Sequence, residues 1–256
     1  MKASELMEQL IGLSEKKPED TVDTCKAGDP HREIKKVALC CIATPHILRD
    51  AHRWGADLLI THEPTYHDNF DYLTPDNPVA IEKQKLVQAT GMTIYRYHDH
   101  AHSQLPDAIA MGELEQLGWE KERFDGRHTL VLNRPRTVRE LAEEIEEKLG
   151  IPYVRMAGDT RMTVKTICLC VGAWDMFSIM KQHDAELYIC GELCEWQACE
   201  YIRDAAELGH RKALLVLGHI ASEKAGMKYV EKLVKQVDPD LETRYFDCPN
   251  LFSYTK

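Results

Sequence analysis

The sequence predicts an α/β protein of two related lobes, each built on a mostly parallel or mixed sheet flanked by helices. Three observations predict it. Short apolar, β-prone runs alternate with helical stretches, the pattern of βαβ units. A chain of 256 residues has room for two lobes. Within it, GADLLITHE at 55–63 is echoed by DAELYICGE at 184–192, each an acidic residue followed by an apolar strand and a terminal Glu.

Taken in order, an amphipathic helix opens the chain. Strands are predicted at KKVALCCI from Lys35, ADLLITH from Ala56, MTIYRYH from Met92, HTLVLN from His128, KTICLCV from Lys165, AELYIC from Ala185 and KALLVLG from Lys212. Helical periodicity falls between them at 45–54, 77–90, 106–117, 137–149, 194–208 and 222–237, with Ser222 as the N-cap of the last. Charged, Gly-containing sequence at Asp125-Gly126-Arg127 marks a break. Residues 1–127 are therefore expected to form a metal-site lobe and 128–256 a second α/β lobe, with 212–256 returning ligands to the site.

Composition narrows the function. A formal charge of −10 argues against general affinity for nucleic acid or anionic membrane, which are drawn to basic patches. No basic, apolar leader and no membrane-length apolar run is read, so a cytoplasmic location is expected. Nine cysteines, an odd number without a C-x-x-C pair, are expected as reduced thiols rather than disulfides or a zinc ribbon.

Chemistry is sought just after the strands, since ligands in open parallel sheets bind beyond the strands' carboxyl ends. Three ends carry donors: His62-Glu63 before Pro64, then His98, His100 and His102, then His219 with Glu223. Alternation would align His98, His100 and His102, while a helical turn would align His98 with His102; either brings those two together. A single His or Glu after a strand is usually a cap or a solvated loop residue. Three such ends together point to a site for Zn, Fe, Mn or Co rather than Ca or Mg, and six ligands drawn from these seven residues suit two divalent transition-metal ions better than one.

GADLLITHEP, the segment from His98 to His102 followed by Asp107-Ala108-Ile109-Ala110, and LGHIASEKAGM resemble the successive motifs of the NIF-three-like family, whose members also carry the name GTP cyclohydrolase I type 2. The resemblance implies a dinuclear site with His62, Glu63, His98, His102, His219 and Glu223 as ligands. Glu63 stands where the family's second His is usual and His102 where Asp is usual, so the donors change places while the formal charge is kept. His100, and less so His67, are read as supports for the ligands. The resemblance further implies a homohexamer and a small-molecule, nucleotide-like substrate cleaved by water. Glu192 is the candidate general base, against the plainer reading of a helix-start acid. No G-x-x-x-x-G-K-[ST] or G-x-G-x-x-G phosphate loop is present. The rival reading is a non-catalytic metal-holding, sensing or interaction scaffold.

Overall fold

A computed structural model describes residues 1–15 and 19–255. The chain divides into two compact units. The first takes Met1–Ala108 and Met227–Pro249, the second Ile109–Gly226 and the segment from Asn250. The first two crossings fall in helices α5 (Ala108–Leu117) and α9 (His219–Val237), and the third follows Pro249, outside any helix or strand. Asp125-Gly126-Arg127, read as a break, is instead the turn of a hairpin within the second unit. There Asp125 Oδ1 accepts the backbone N–H groups of Arg127, His128 and Thr129 between β5 (Arg123–Phe124) and β6 (Thr129–Thr137).

The first unit's sheet runs β1-β4-β3-β2-β11, with β1 (Cys25–Ala27) antiparallel to β4 (Thr93–Arg96). The other strands, β2 (Lys36–Cys40), β3 (Leu58–Thr61) and β11 (Glu242–Tyr245), are parallel. Every residue of β3 is buried, which explains why it reads as an unbroken apolar run. Helix α2 (Pro45–Trp54) shows how the local sequence sets its ends. Thr44 Oγ1 accepts the N–H of Ile47, Pro45 pre-sets the first turn, and Gly55 closes the helix at φ 83°, a left-handed conformation that needs no Cβ. Helix α3 (Pro78–Thr90) turns Ala80, Lys83 and Val87 inward.

The second unit's sheet runs β5-β6-β8-β9-β10-β7. Its centre is again three parallel strands, β8 (Thr163–Ala173), β9 (Leu187–Glu192) and β10 (Ala213–Val216), with β7 (Arg155–Gly158) antiparallel on the edge. Helices α6 (Val138–Leu149), α7 (Met176–Gln182) and α8 (Glu195–Glu207) accompany it. The seven predicted strands all form. The sequence reading omitted β1, β5, β7, β11 and α7, and placed the start of α9 at Ser222, three residues late.

The two related halves are visible in one repeated device. Asp57 Oδ2 accepts the N–H groups of Lys35 and Lys36 at 2.9 and 3.0 Å, and Glu186 Oε2 accepts those of Lys165 and Thr166 at 2.7 and 3.2 Å. Each carboxylate precedes the middle strand and satisfies backbone donors at the start of the neighbouring one.

Candidate metal centre

In the first unit three imidazoles meet where β3 and β4 end. His62, fully buried, follows β3 and points Nδ1 at the Tyr97 carbonyl, 3.1 Å away. The Arg96 Nε–H donates to the His62 carbonyl at 2.9 Å and fixes the backbone there. After β4 the chain makes one helical turn, α4 (Asp99–His102), with His98 in the N-cap position. A turn this short does not hold itself. Asp23 holds it: its carboxylate accepts the N–H groups of His98, Asp99 and His100 at 2.6, 3.1 and 2.8 Å, and faces His100 Nδ1 at 2.8 Å.

The helical turn decides between the two alignments open in the sequence. His98 and His102 come together, while His100 turns away to Asp23. Ring centroids lie 4.5 Å apart for His62–His98, 5.1 Å for His62–His102 and 5.0 Å for His98–His102. One ring nitrogen from each lies within 4.8 Å of the others, a group able to hold a metal ion. His98 Nδ1 is 2.9 Å from Asp99 Oδ1, and His102 Nδ1 is 2.9 Å from Asp107 Oδ2. A carbonyl and two carboxylates accept protons in these bonds, so each Nδ1 carries the hydrogen and each Nε2 presents its lone pair. Burial lowers the His98 pKa, as do the neighbouring His62 and His102 rings, against the raising effect of Asp99. The ring is thereby kept in the neutral form that binds metals. Burial pushes the Asp99 carboxyl up, but hydrogen bonds from His98, the Val22 N–H and Thr21 outweigh it and hold the carboxyl below its ordinary value. Glu63 follows His62, its N–H donating to the Cys41 carbonyl at 2.8 Å. His67 is exposed in the loop between β3 and α3, at φ 69°.

In the second unit His219 and Glu223 share the first turn of α9, with His219 Nε2 3.1 Å from Glu223 Oε2. Glu192 ends β9, ahead of the helix, and brings Oε1 to 3.5 Å from His219 Nδ1. It is therefore a strand-end carboxylate beside an imidazole and not a helix-start acid. Ser222 is not the N-cap either: its hydroxyl donates to the His219 carbonyl at 2.8 Å and accepts the Gly172 N–H at 2.9 Å. Gly172, at φ 71°, leaves the room this needs, since a Cβ there would stand 2.0 Å from Glu223 Oε1. Glu113 on α5 is wholly buried and neither of its oxygens makes a hydrogen bond among the described residues. Burial, then the nearby charge of Glu223, raises its pKa well above the ordinary value.

Four acids in these arrangements were not singled out as supports in the sequence. Asp99 and Asp107 are near the histidines they support, and the signal was their spacing. Asp23 and Glu113 carry none, because their partners are distant in sequence.

A model of the Duf34/NIF3 (NGG1p interacting factor 3) family matches residues 1–249. The chain belongs to that family. Among Duf34/NIF3 relatives, a "GTP cyclohydrolase 1 type 2 homolog" of Clostridium perfringens is 26% identical over 226 residues, spanning 84% of each chain. A solved Bacillus cereus protein related to NIF3 superposes with a TM-score of 0.79 at 12% identity, covering 100% of this chain and 99% of the other. A hypothetical protein of Staphylococcus aureus does so with a TM-score of 0.76 at 18% identity and the same coverage. At these identities the solved structures speak for the Duf34/NIF3 fold. Among the described residues no helix is long and apolar enough to cross a membrane, and all nine cysteines are free thiols.

Proposed function

We propose that this Duf34/NIF3 protein holds two divalent transition-metal ions, Zn, Fe, Mn or Co, and hydrolyses a nucleotide-like or other phosphate-bearing small molecule. The observation that carries the metal reading is the set of three imidazoles whose Nδ1 atoms are each committed to an oxygen acceptor and which bring one ring nitrogen apiece within 4.8 Å of the others. His62, His98 and His102 would supply imidazole donors from the first unit, with Glu63 beside them, and His219 and Glu223 complete the proposed set. The ions would supply Lewis-acid polarisation of the reacting oxygen and a water of lowered pKa.

The chain's own residues do the rest. Asp99, Asp107 and the Tyr97 carbonyl hold the rings in one tautomer and orientation. Asp23 fixes the turn that spaces His98 from His102. Glu192, beside His219 at the surface, is the group proposed to take up a proton. The substrate class comes from the relatives' names, which speak of GTP, and the homo-oligomer implied by family resemblance belongs to the same proposal.

Elemental analysis of protein loaded with each metal, followed by turnover assays on GTP, other nucleotides and simple phosphoesters with products identified by mass, tests both parts. About two ions per chain and hydrolysis lost in His98→Ala are expected. One ion or none removes the dinuclear reading, and a metal-replete protein inert toward every substrate removes the hydrolase in favour of the metal-holding scaffold.

A further inference from the structure

The loop 62–77, between β3 and α3 of the first unit, carries two aromatic rings that the metal centre does not use. Phe70 is 50% exposed and Tyr72 is 69% exposed. Their ring centroids lie 5.8 Å apart at an interplanar angle of 31°, so they form one apolar patch rather than two isolated side chains. Single apolar residues scattered over a surface are ordinary, whereas a contacting pair on one loop marks a place where something binds.

The backbone beneath the rings is fixed. Asp68 Oδ1 accepts the N–H groups of both Phe70 and Tyr72, at 2.9 and 3.0 Å, and the Asp68 carbonyl accepts the Asp71 N–H at 2.9 Å. Asp71 Oδ1 accepts the Tyr66 N–H at 2.8 Å, while its Oδ2 lies 3.5 Å from Lys26 Nζ, with both side chains more than nine-tenths buried. His67 at φ 69° and Asp71 at φ 62° are the two non-glycine residues with left-handed backbone among the described residues, and both belong to this loop. Strain of this kind gathers at ligand clamps. Arg96, 2% exposed, ties the loop to the metal centre: its Nε–H donates to the His62 carbonyl at 2.9 Å and its Nη1 to the Asn69 carbonyl at 2.5 Å. A proposed metal ligand and the residue before Phe70 are thus bonded to one guanidinium.

We infer that Phe70 and Tyr72 form a stacking platform for a planar heteroaromatic ring, the base of a nucleotide whose phosphate is taken by the metal centre. Every nucleobase offers a π-face, so such a platform recognises the class without selecting one base. The loop supplies what stacking needs, since it is ordered before the ligand arrives and aromatic side chains with two torsions lose little freedom on binding. The bond from Arg96 to both His62 and Asn69 favours a small nucleotide over a second copy of the chain, because it sets the rings beside the metal ligands. The inference deepens the proposed function and rests on it for the phosphate half of the ligand; the platform itself is read by what the base adds to binding, not by turnover.

GMP, AMP and ribose 5-phosphate, which lacks the base, are the probes, titrated by calorimetry into the metal-loaded full-length protein. Both nucleotides should bind about tenfold more tightly than ribose 5-phosphate. Tyr72→Ala and Phe70→Ala should each remove most of that preference while leaving ribose 5-phosphate binding and Tm close to those of the parent, since both side chains are exposed. Tyr72→Phe, which keeps the ring, should keep the preference. Nucleotides that bind no better than ribose 5-phosphate, or a preference that survives both alanine variants, would overturn the platform. So would a Tyr72→Ala protein of lower oligomeric mass with its preference intact, which would assign the rings to a second copy. If the preference follows the rings but no nucleotide is turned over, the platform stands and the hydrolase reading falls.

Discussion

The two units lay down the same three parallel strands and finish them differently. In the first, β2, β3 and β4 end in side chains with chemistry, His62 and Glu63 after the middle strand and a one-turn helix bearing His98 and His102 after the next. In the second, the corresponding strands carry Gly172 and Gly191 just before their last residues, Ala173 and Glu192, and the first turn of α9 comes in close, Ser222 bonding the Gly172 N–H. A Cβ on Gly191 would stand 2.5 Å from Ser222 Oγ. The scaffold is therefore shared, while the rim differs in that glycines near the ends of β8 and β9 make room for a helix turn that the first unit does not admit.

The comparison is broken most severely through the element that holds each rim. Asp23 and His100 form a buried pair, with side chains 0% and 4% exposed, and Asp23 also takes three backbone N–H groups. Removing one partner of such a pair strands the other, so Asp23→Ala should cost about 3 kcal/mol in chemical denaturation and lower the metal content. Gly172→Ala attacks the second rim, where a side chain meets both an unfavourable φ of 71° and the Glu223 carboxylate. Its expected cost is about 2 kcal/mol. A neutral Gly172→Ala would show that the close approach of α9 is not what the glycine serves.

How far the sequence revealed this follows from the same physics. Central strands such as LLIT at 58–61 are buried along their whole length and announce themselves as apolar runs. The edge strands CKA, RF, RMAG and ETRY are two to four residues, largely polar or exposed, and owe their conformation to the neighbour they pair with. Helix α7 did carry a signal, Asp175 accepting the Ser178 N–H as an N-cap, but seven residues give too little periodicity to stand out. The histidines were legible because each follows an apolar run. Asp23 was not, since nothing near it in sequence reports that it will meet His98 75 residues later.

Glu113 sharpens the comparison through its charge. Its pKa is raised well above the ordinary glutamate value of 4.5 in the fold, so its unfavourable contribution grows as pH rises from 4.5 toward the folded value. Glu113→Met should therefore add about 1 kcal/mol of stability near neutral pH and give progressively less toward acid, read by urea denaturation across pH. A loss of stability or of bound metal instead would mean that Glu113 supports Glu223 and is not merely tolerated.

The smallest expected effect tests the equivalence of the units themselves. If Asp57 and Glu186 are the same clamp, Asp57→Asn and Glu186→Gln should each cost about 1 kcal/mol near neutral pH, the worth of a hydrogen-bonded carboxylate that its amide replaces incompletely. For Glu186 the pH dependence can be signed. Burial pushes its carboxyl up, but the Lys165 and Thr166 N–H groups and Arg211 outweigh that and hold it below its ordinary value. A lowered folded pKa stabilises above the unfolded value of 4.5, and the contribution disappears as pH falls through the folded one. The deficit of Glu186→Gln should accordingly be present near neutral pH and fade as pH falls below 4.5 through the folded value. A deficit that persists at acid pH would show the substitution to disturb packing rather than a charged hydrogen bond. A cost at Glu186 with none at Asp57 would leave the resemblance between the units a matter of strand order alone, because the device that joins neighbouring strands would then be working in only one of them.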